Sequence, residues 1–520
     1  LEQANLDFSR YYQQAVAAVG DEATAALLQT VYEEEVGHVK HGLSWFNRWR
    51  TTADAGGQTR EDDWDAYVRL LPAPMSPRRG KGPVYCAAAR REAGFSERYI
   101  REMEVYSGSR GRPPSYWVFN PLCEAEIARG KPGLNSTASV GDLIRDLETV
   151  PAFLALEADV VLVEALPRAA WLKSLQDAGI RLPEFRKAGG GDAFPERHLS
   201  GVEPWGWSPD AFERFRTAAP KLISIEGGNG HWSRALLAKE SFAETKLGPL
   251  FSKVWSVSFY RSWMEKHPED AAVFGRGMAF GETLGTVFVD VKLARQHVQA
   301  MLSRGETVLA KAPYGTAGRM NRRISDVREF DSGVGPWLAK TIETQGAIVL
   351  EPWLDKVADL SLQIAVGEKP KVIGGRQFLT GSRLEYRGML LGSGWSGLSS
   401  EANRFVHGGE AGATPLVRWQ AMAEEIGRAL YAEGYVGNAG VDALLAKQGD
   451  RFLFRPVVEV NPRWTMGRVA LELEQYVLAA TPAAWLFVPA VAGVSLAEQA
   501  RELLARHPVR RQAKSGKEWI

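Results

Sequence analysis

The sequence contains few cysteines and no long apolar run. Cys86 and Cys123 are the two cysteines in 520 residues, which argues against a disulfide framework and against a cysteine-based zinc site. No uninterrupted apolar segment approaches the roughly 20 residues that span a bilayer, and no signal-peptide pattern opens the chain. We therefore expect a cytoplasmic protein without a membrane partner. The chain opens on Leu1 inside a helical pattern, which indicates a cut or processed start.

The sequence also lacks an excess of charge of either sign. Its formal net charge is +1, which gives no reason to expect a nucleic acid or another polyanion as partner. Hydrophobic residues make up 45% and charged residues 24% of the chain, an ordinary balance for a globular protein. The length predicts roughly three domains. Composition favours an enzyme, and it leaves the oligomeric state open.

The order of helical and strand-like patterns predicts a mixed fold, part α+β and part α/β. The first hundred or so residues have helical spacing, with helix starts at Asp21 and Ser96. A segment rich in Gly, Pro, Arg and Ser at 106–117 marks the first boundary. The stretch "DVVLVEALPRAAWLKSLQDAGIRLPEF" then predicts a strand, a helix and a second strand, the unit of an α/β domain. From about residue 250, β-rich runs alternate with helices.

Two oxygen-bearing side chains lie close together in "VVEVNPRWTMGR". Glu459 and Asn461 are two residues apart, so they share one face of the predicted strand while valines occupy the other. A predicted β-hairpin around 448–450 brings Asp442 onto the adjacent strand beside them. Carboxylate and amide oxygens on rigid strands suit a hard cation such as Mg²⁺.

A lysine and a glycine-rich loop form a second motif, "LAKAPYGTAGR". Lys311 ends a predicted strand, and the loop 314–318 follows it. Glycines let backbone N–H groups approach phosphate oxygens, although this is not a Walker loop and a tight hairpin is the alternative. Further on, "AIVLEPWL" predicts an apolar strand that ends at Glu351, and Asp359 follows.

The chain resembles the ATP-grasp superfamily over roughly 115–495. The resemblance lies in the order of its motifs: a lysine strand, a glycine loop, an acidic hinge, an Asp and then Glu-x-Asn-x-Arg. The resemblance implies an ATP-grasp fold preceded by an α/β domain and by an all-α, ferritin-like segment. The expected boundaries are a helical segment at 1–110, a pre-ATP-grasp domain at 111–250, a small subdomain at 251–350, a large subdomain at 351–495, and a C-terminal helix with a basic tail at 496–520.

The resemblance implies ATP as cosubstrate and indicates which residues would bind it. Lys253 and Lys311 would contact the phosphates, and Glu351 would accept from the adenine amino group. The loop over the phosphates, the backbone hinge and the acid for the ribose hydroxyls complete the expected set: Tyr314, Gly315, Thr316, Ala317, Gly318, Trp353, Leu354 and Asp359.

The resemblance also implies the metal ligands and the reaction. Asp442, Glu459 and Asn461 would hold one or two Mg²⁺ ions. Many carboxylate–amine ligases carry an arginine two residues before the metal-binding Asp, where this chain has Gly440, and Arg376 or Arg383 is the candidate replacement. The catalytic residues would be Lys311, Arg376 and Arg463. They would activate a small-molecule or peptide carboxylate as an acyl phosphate and join it to an amine, less often a thiol.

The N-terminal helical stretch contains Glu35-x-x-His38, the spacing used by ferritin-like di-iron bundles. With Trp45-Phe46 and "AAARREAGFSERYI", the stretch resembles the C-terminal half of an uncharacterised ferritin-like family related to diiron tRNA hydroxylases. The second half of such a site is absent from the sequence. Glu35 and His38 are therefore either a partial iron site or plain helix residues, and we do not expect iron-dependent oxidation by this chain alone.

Other interpretations stay open. One is a ferritin-like non-haem iron protein whose ATP-grasp half is regulatory, and another is a non-catalytic nucleotide-binding scaffold. Trp205 and Trp207 in "VEPWGWSPDAF" precede a predicted helix and favour packing in a core or between domains, with contacts to an aromatic substrate as the alternative.

Overall fold

The structure is a computed structural model of the 520-residue chain. It describes residues 2–53, 62–71, 77–82, 84–106, 113–133, 138–177, 180–188, 198–223, 229–275, 284–315, 320–382, 384–392, 395, 397–408, 414–477, 483–488, 491, 493–506, 512–514 and 517–519. The chain forms two compact units. The first comprises Leu1–Tyr116 with Leu156–Val160 and Phe194–Gly201, and the second comprises the other residues.

The first unit is helical. Its α-helices are α1 Asn5–Ala17, α2 Glu22–Ala53, α3 Asp63–Leu70, α4 Ala87–Glu92 and α5 Glu97–Val105, with 3₁₀ turns at Glu2–Ala4 and Pro77–Gly80. Both predicted helix starts are confirmed: Asp21 accepts from the N–H of Thr24 at 3.0 Å, and Ser96 accepts from the N–H of Tyr99 at 3.0 Å. These side chains satisfy N–H groups that have no partner within the helix.

A buried ion pair and an aromatic cluster hold the helices of the first unit together. Arg90 Nη1 lies 2.7 Å from Asp7 Oδ1, and neither side chain is exposed. Trp64 on α3 packs with Tyr99 and Met103 on α5 in a second buried cluster. Asp7 also accepts from the backbone N–H of Gly82 at 2.8 Å, so its charge is fully hydrogen-bonded, as burial of a carboxylate requires.

A four-stranded sheet with the order β3-β2-β1-β4 begins the α/β region. Its strands are β1 Ser115–Val118, β2 Val160–Val163, β3 Glu184–Lys187 and β4 Gly201–Pro204. The accompanying helices are α6 Cys123–Arg129, α7 Ala138–Leu147, α8 Ala169–Asp177, α9 Pro209–Arg216 and α10 Asn229–Leu237, with 3₁₀ turns at Val150–Phe153, Ala219–Lys221, Phe242–Thr245 and Gly248–Phe251. The predicted strand–helix–strand unit is confirmed as β2, α8 and β3.

A second four-stranded sheet, antiparallel with the order β5-β8-β6-β7, carries Lys311 at the end of a strand. Its strands are β5 Thr286–Phe288, β6 Val308–Lys311, β7 Asn321–Ile324 and β8 Ile348–Pro352. The helices are α11 Lys253–Lys266, α12 Asp270–Gly275, α13 Val291–Ser303, α14 Val327–Glu329 and α15 Gly335–Gln345, with a π-helical turn at Phe330–Val334. Apolar side chains of α13 and α15 pack against β6 and β8 as one buried core.

A six-stranded antiparallel sheet with the order β13-β12-β9-β10-β11-β14 carries the acidic residues. Its strands are β9 Lys356–Val366, β10 Lys371–Thr380, β11 Tyr386–Leu391, β12 Gly437–Gln448, β13 Arg451–Asn461 and β14 Ala483–Leu486. The helices are α16 Ser400–His407, α17 Pro415–Ala432 and α18 Met466–Leu473, with a 3₁₀ turn at Glu474–Tyr476. The predicted hairpin is confirmed: β12 and β13 pair up to Gln448 and Arg451, which flank the turn.

The C-terminal part contains α19 Leu496–Arg506 and a small hairpin of β15 Gln512–Lys514 and β16 Lys517–Trp519. The sequence predicts the helix, and it predicts only a basic tail after it. Across the described segments, no helix is both long enough and apolar enough to pass through a bilayer.

Candidate active site

One face of the six-stranded sheet carries a row of polar side chains in register. Arg376 on β10 pairs with Ser361 on β9, Ser361 pairs with Asp442 on β12, and Asp442 pairs with Glu459 on β13. Directly paired residues of an antiparallel sheet place their side chains on the same face, with Cβ atoms about 5 Å apart. The four side chains therefore form one continuous row across four strands. We call this set the polar row.

Asn461 extends the polar row toward a buried arginine. Its Nδ2 donates to Asp442 Oδ2 at 3.0 Å, and its Oδ1 accepts from Arg463 Nη2 at 3.0 Å. The Arg463 Nε donates in turn to Glu124 Oε1 on α6 at 2.8 Å. Glu124 raises the pKa of Arg463 above its ordinary value although burial acts in the opposite direction. Arg463 is therefore a fixed cation beside the predicted metal ligands.

The carboxyl group of Asp442 is strongly affected by its position in the row. Burial raises its pKa to about 7, a hydrogen bond from Ser361 acts to lower it, and the charge of Glu459 raises it. A carboxylate that burial and a like charge disfavour gains most from a nearby cation. The position therefore favours a cation between Asp442 and Glu459.

Lys253 connects the glycine-loop region to the polar row. It is the first residue of α11, whose start is capped by the Ser252 side chain. Its Nζ lies 2.6 Å from Glu459 Oε1 and donates to the carbonyl of Gly315 at 2.7 Å. Burial acts to lower the pKa of Lys253, but the charges of Glu459 and Glu124 raise it above its ordinary value. The ammonium is thus retained although the Lys253 side chain is buried.

Lys311 and Glu351 belong to a second buried charge cluster. The Lys311 Nζ lies 2.6 Å from Glu351 Oε2, and Arg455 Nη2 lies 2.6 Å from Glu351 Oε1. Burial opposes the ionised form of Glu351, but Arg455 and Lys311 hold the pKa of this carboxyl below its usual range. Burial lowers the pKa of Lys311. Both carboxylate oxygens of Glu351 are therefore engaged by cations rather than open to a ligand.

The glycine-rich loop is described only at its beginning. The N–H of Tyr314 donates to Gln345 Oε1 at 2.9 Å, which ties the loop to the end of α15. A Cβ atom at Gly315 would lie 2.8 Å from Met320 Cβ, so a side chain there would require a shift of the loop. Three residues of the predicted loop lie outside the described residues: Thr316, Ala317 and Gly318.

The predicted adenine hinge follows β8. The Trp353 N–H donates to the carbonyl of Thr307 at 2.8 Å, and the Arg323 guanidinium lies 4.5 Å from the centre of the Trp353 ring. Leu354 is partly exposed. The hinge is therefore fixed to the start of β6 and presents a half-buried apolar side chain.

Asp359, the predicted ribose acid, lies on β9, two residues from Ser361 and so on the same face. Its Oδ2 accepts from Thr380 Oγ1 at 2.8 Å and lies 2.7 Å from Lys356 Nζ. The structure brings Asp359 onto the face that carries Asp442 and Glu459.

Arg376 is a candidate replacement for the arginine that many carboxylate–amine ligases carry where this chain has Gly440. Arg376 forms an ion pair with Glu474 at the end of the polar row. A Cβ atom at Gly440 would lie 2.9 Å from Thr465 Cγ2, so an arginine does not fit there without a local shift. Arg383 lies outside the described residues. The sheet register therefore places Arg376 beside Ser361, one strand away from Asp442.

The donor set of the row fits a magnesium ion. Asp442 and Glu459 supply two facing carboxylates, and hard oxygen donors of this kind are what Mg²⁺ prefers, usually together with phosphate oxygens. Asn461 presents its nitrogen to Asp442 and its oxygen to Arg463, so metal binding through Oδ1 requires its amide to turn. Among the described residues, no three His, Cys, Asp or Glu side chains are grouped to hold a metal. The site therefore fits a cation shared with a ligand.

Glu35 and His38 lie on α2 in the first unit. Their closest atoms, Glu35 Oε2 and His38 Nδ1, are 4.0 Å apart, and the His38 side chain is 65% exposed. Glu35 Oε1 accepts from Asn5 Nδ2 at 3.1 Å. In the part of the first unit that the structure describes, these two residues are not joined by further acids or histidines into a metal cluster.

Comparison with known proteins gives a family match for the first unit. Residues 1–101 match the DUF455 model, which is described as a protein of unknown function. The match covers the N-terminal helical segment. No curated protein sequence matches the chain.

Solved structures resemble a larger part of the chain. N5-carboxyaminoimidazole synthetase from Staphylococcus aureus, complexed with ADP, is 11% identical with a TM-score of 0.34, over 67% of this chain and 70% of that one. Biotin carboxylase from Campylobacter jejuni is 14% identical with a TM-score of 0.35, over 70% and 72%. D-alanyl-alanine synthetase A from Vibrio cholerae is 11% identical with a TM-score of 0.31, over 53% and 72%.

These structures are ATP-grasp enzymes. The TM-scores are all below 0.5.

Several residues near the site belong to none of the sequence motifs. Ser361 and Gln363 alternate with leucine and isoleucine in "LSLQIAV", and this period of two was a usable signal for the polar face of β9. Arg455 stands in an apolar strand before Pro456, which was a weaker signal. Glu124 gives no signal, because its partner Arg463 is 339 residues away in sequence.

Proposed function

We propose that the chain is an ATP-dependent ligase that activates a carboxylate as an acyl phosphate and joins it to an amine. The observation that carries the proposal is the contact of Lys253 with Glu459 at 2.6 Å. This contact joins a buried cation beside the glycine loop to an acid of the polar row. Cations for phosphates and oxygen ligands for a metal therefore meet at one point, as phosphoryl transfer requires.

The cations of the site would hold the phosphates. Lys253 lies at the carbonyl of Gly315, so its ammonium is adjacent to the loop that would cover the nucleotide. Lys311 would also contact the phosphates, either after its contact with Glu351 has broken or while it keeps that contact. Arg463 is held by Glu124 and Asn461 and would stabilise charge on the group in transfer. Arg376 would do so from the opposite end of the row.

The oxygen ligands would hold the metal. Asp442 and Glu459 would bind Mg²⁺, with Asn461 as a third ligand once its amide turns. When bound, magnesium would neutralise charge on the terminal phosphates. Without a bound metal, Asp442 faces Glu459, whose charge is balanced by the Lys253 ammonium. Burial, and after it the charge of Glu459, raises the pKa of Asp442.

The adenosine would lie along the hinge after β8. Both carboxylate oxygens of Glu351 are ion-paired, so we propose that the adenine amino group meets backbone carbonyls of the segment that contains Trp353 and Leu354. The carboxylate of Glu351 would then position Lys311. Asp359 would take the ribose hydroxyls, since it lies on the same face as the polar row.

The reaction would have two steps. A carboxylate oxygen of the substrate attacks the γ-phosphorus, the bond from this phosphorus to the β–γ bridging oxygen breaks, and ADP leaves. The amine nitrogen then attacks the acyl carbon, the bond from carbon to the phosphate oxygen breaks, phosphate leaves and the nitrogen loses a proton. The protein's part is to position the groups and to neutralise charge.

Magnesium-dependent nucleotide binding tests the proposal. Calorimetry with a non-hydrolysable ATP analogue should show binding that requires Mg²⁺. Lys311→Met and Glu459→Gln keep the shape of the side chains and remove their charges, and each should weaken binding at least about tenfold because a charge-assisted contact is lost. Matched controls are Lys340→Met and Glu343→Gln, a pair on the exposed face of α15, and these should bind as the parent does.

Two results would contradict the proposal. The first is the absence of binding at millimolar nucleotide. The second is equal affinity in Lys311→Met, Glu459→Gln and their controls, which would mean that the two buried clusters take no part in nucleotide binding.

A further inference from the structure

Lys253 engages a carboxylate that the metal would need. Its Nζ lies 2.6 Å from Glu459 Oε1, as short as charge-assisted hydrogen bonds become. The Lys253 side chain is 5% exposed and the Glu459 side chain is 21% exposed, so the pair is screened much less than a surface pair would be. One oxygen of Glu459 is therefore occupied by a cation that belongs to the protein.

The other proposed metal ligands are also engaged by their neighbours. Asp442 Oδ2 accepts from Asn461 Nδ2 at 3.0 Å, and the Asp442 carboxylate also accepts a hydrogen bond from Ser361. Asn461 Oδ1 accepts from Arg463 Nη2 at 3.0 Å. Mg²⁺ gives up its water ligands reluctantly and demands nearly ideal octahedral geometry. A metal ion that arrives alone must therefore compete with several protein contacts at once.

The backbone of Lys253 is fixed, whereas its side chain can change partners. Lys253 is the first residue of α11, and its N–H donates to the carbonyl of Pro313 at 2.9 Å. This contact holds the start of the helix beside the glycine-rich loop. The ammonium has three donors on a flexible stem, and it contacts Glu459 at 2.6 Å and the carbonyl of Gly315 at 2.7 Å. It can therefore exchange Glu459 for another anion without movement of the helix.

Lys311 provides a comparison within the same unit. Its side chain is also 5% exposed, but its carboxylate partner is Glu351, whose second oxygen is held by Arg455 at 2.6 Å. Glu351 is not a proposed metal ligand. Of these two buried lysines, Lys253 is therefore the one that neutralises a carboxylate of the metal site.

We propose that Lys253 occupies the place of the metal at Glu459 and makes metal binding depend on the nucleotide. Phosphate oxygens beside the loop attract the Lys253 ammonium away from Glu459, and the released carboxylate becomes a metal ligand. Because one ammonium serves either Glu459 or the phosphates, nucleotide and metal each strengthen the binding of the other. The inference rests on the proposed ligase function and adds to it that the metal enters with the nucleotide and not alone.

Titration with Mn²⁺ alone tests the inference on the full chain without turnover. Mn²⁺ takes the same hard oxygen ligands as Mg²⁺, and electron paramagnetic resonance of the free ion measures how much is bound. The parent should bind Mn²⁺ weakly. Lys253→Met should bind it at least about tenfold more tightly, because the substitution removes a positive charge beside the site and frees the Glu459 carboxylate.

The same substitution should act in the opposite direction on the nucleotide. Lys253→Met should weaken Mg²⁺-dependent binding of the non-hydrolysable ATP analogue at least about tenfold, since a charge-assisted contact with the phosphates is lost. A substitution that only damaged the site would weaken both the metal and the nucleotide. The two opposite changes therefore separate an exchange of partners from a loss of structure, and circular dichroism of each variant checks that it is folded.

Three further variants show whether the contact with Glu459 is the cause. Lys311→Met removes an equally buried lysine with a different partner and should raise the Mn²⁺ affinity far less than Lys253→Met does. Glu459→Gln combined with Lys253→Met should abolish the gain, because the carboxylate that is released is no longer present. Lys340→Met, an exposed lysine on α15, should bind Mn²⁺ as the parent does.

Three results would overturn the inference. The first is an unchanged or lower Mn²⁺ affinity in Lys253→Met. The second is an equal gain in Lys253→Met and Lys311→Met, which would reflect a general loss of positive charge. The third is a gain that persists when Glu459 is replaced by glutamine.

The nucleotide titration of the parent distinguishes this inference from the ligase proposal. Nucleotide binding by the parent with no gain of Mn²⁺ affinity in Lys253→Met overturns the role of Lys253 and leaves the ligase proposal standing. A gain that depends on Glu459, without nucleotide binding by the parent, supports Lys253 as the cation that occupies the metal site. That second result overturns the ligase function and, with it, the exchange of Lys253 onto phosphates.

Discussion

At the scale of single residues, Glu351 shows how a buried charge is kept. It is 2% exposed, and it lies between Lys311 and Arg455, each 2.6 Å away. A buried ion pair gains little net stability, but removal of one partner leaves an uncompensated charge in a medium of low dielectric. The cluster is therefore sensitive to loss of either cation.

Arg455→Met should destabilise the second unit by about 3–5 kcal/mol. The substitution retains an apolar side chain of similar length and leaves Glu351 with one of its two cations. Urea denaturation followed by tryptophan fluorescence measures the change. Arg428→Met, which removes an exposed arginine paired with Glu425 on α17, is the control and should change stability by less than about 0.5 kcal/mol. Equal stability of the two variants would show that Arg455 is dispensable for keeping Glu351 buried.

The sequence predicts part of this chemistry and misses the rest for a physical reason. Asp442, Glu459 and Asn461 could be grouped because a strand has a period of two and a short hairpin fixes the register. The partners of buried charges follow no local rule. Glu351 meets Arg455 across 104 positions of the chain, and Lys253 meets Glu459 across 206. Periodicity can indicate that such a charge is buried, but it cannot indicate which cation accompanies it.

At the scale of elements, the β12–β13 hairpin sets the distance between Asp442 and Glu459. Its turn contains Gly449, whose φ of 56° lies in the left-handed region that only glycine enters without strain. The open space around Gly449 means that a side chain would meet no neighbour there. The backbone angle, and not a lack of space, is therefore what favours glycine at this position.

Gly449→Ala should cost about 1 kcal/mol, the strain of a left-handed alanine. Gly367→Ala in the turn between β9 and β10 is the control, because it also has open space around it but no left-handed φ, and it should be close to neutral. Thermal unfolding of the two variants provides the comparison. A loss of the same size in both would mean that the backbone angle at Gly449 is not what the turn requires.

The sequence predicts individual helices and strands better than it predicts how the strands pair in the sheets. Helices with capping residues, such as α5 with Ser96, and strands with a period of two, such as β9, follow from local chemistry. The small hairpin of β15 and β16 does not, since its residues lie in a basic segment without an apolar period. Sheet order is a property of distant segments: β12 pairs with β9 more than 70 positions earlier. The spacing of motifs along the chain therefore predicts the candidate site better than it predicts the sheet.

At the scale of the whole molecule, the proposed activity belongs to one of the two units. Every residue that we assign to the nucleotide or the metal lies in the second unit, and Glu35 and His38 lie in the first. The family matched by residues 1–101 is described only as a protein of unknown function. The two parts of the chain therefore call for separate tests on the same molecule.

Glu35→Ala and His38→Ala in the full chain should leave turnover within about twofold of the parent, since neither residue is assigned to the nucleotide, the metal or the reaction and each substitution shortens one side chain of α2 in the first unit. Glu459→Gln and Lys311→Met should each lower turnover by at least about 100-fold, the loss expected when a group that stabilises charge in the transition state is removed. The measurement is ADP release with a panel of carboxylates and amines, accompanied by iron analysis of each preparation. An equal loss in all four variants would overturn the assignment of activity to the second unit. Stoichiometric iron that disappears in Glu35→Ala and His38→Ala, with turnover that follows the iron content, would instead establish the helical unit as the catalytic one.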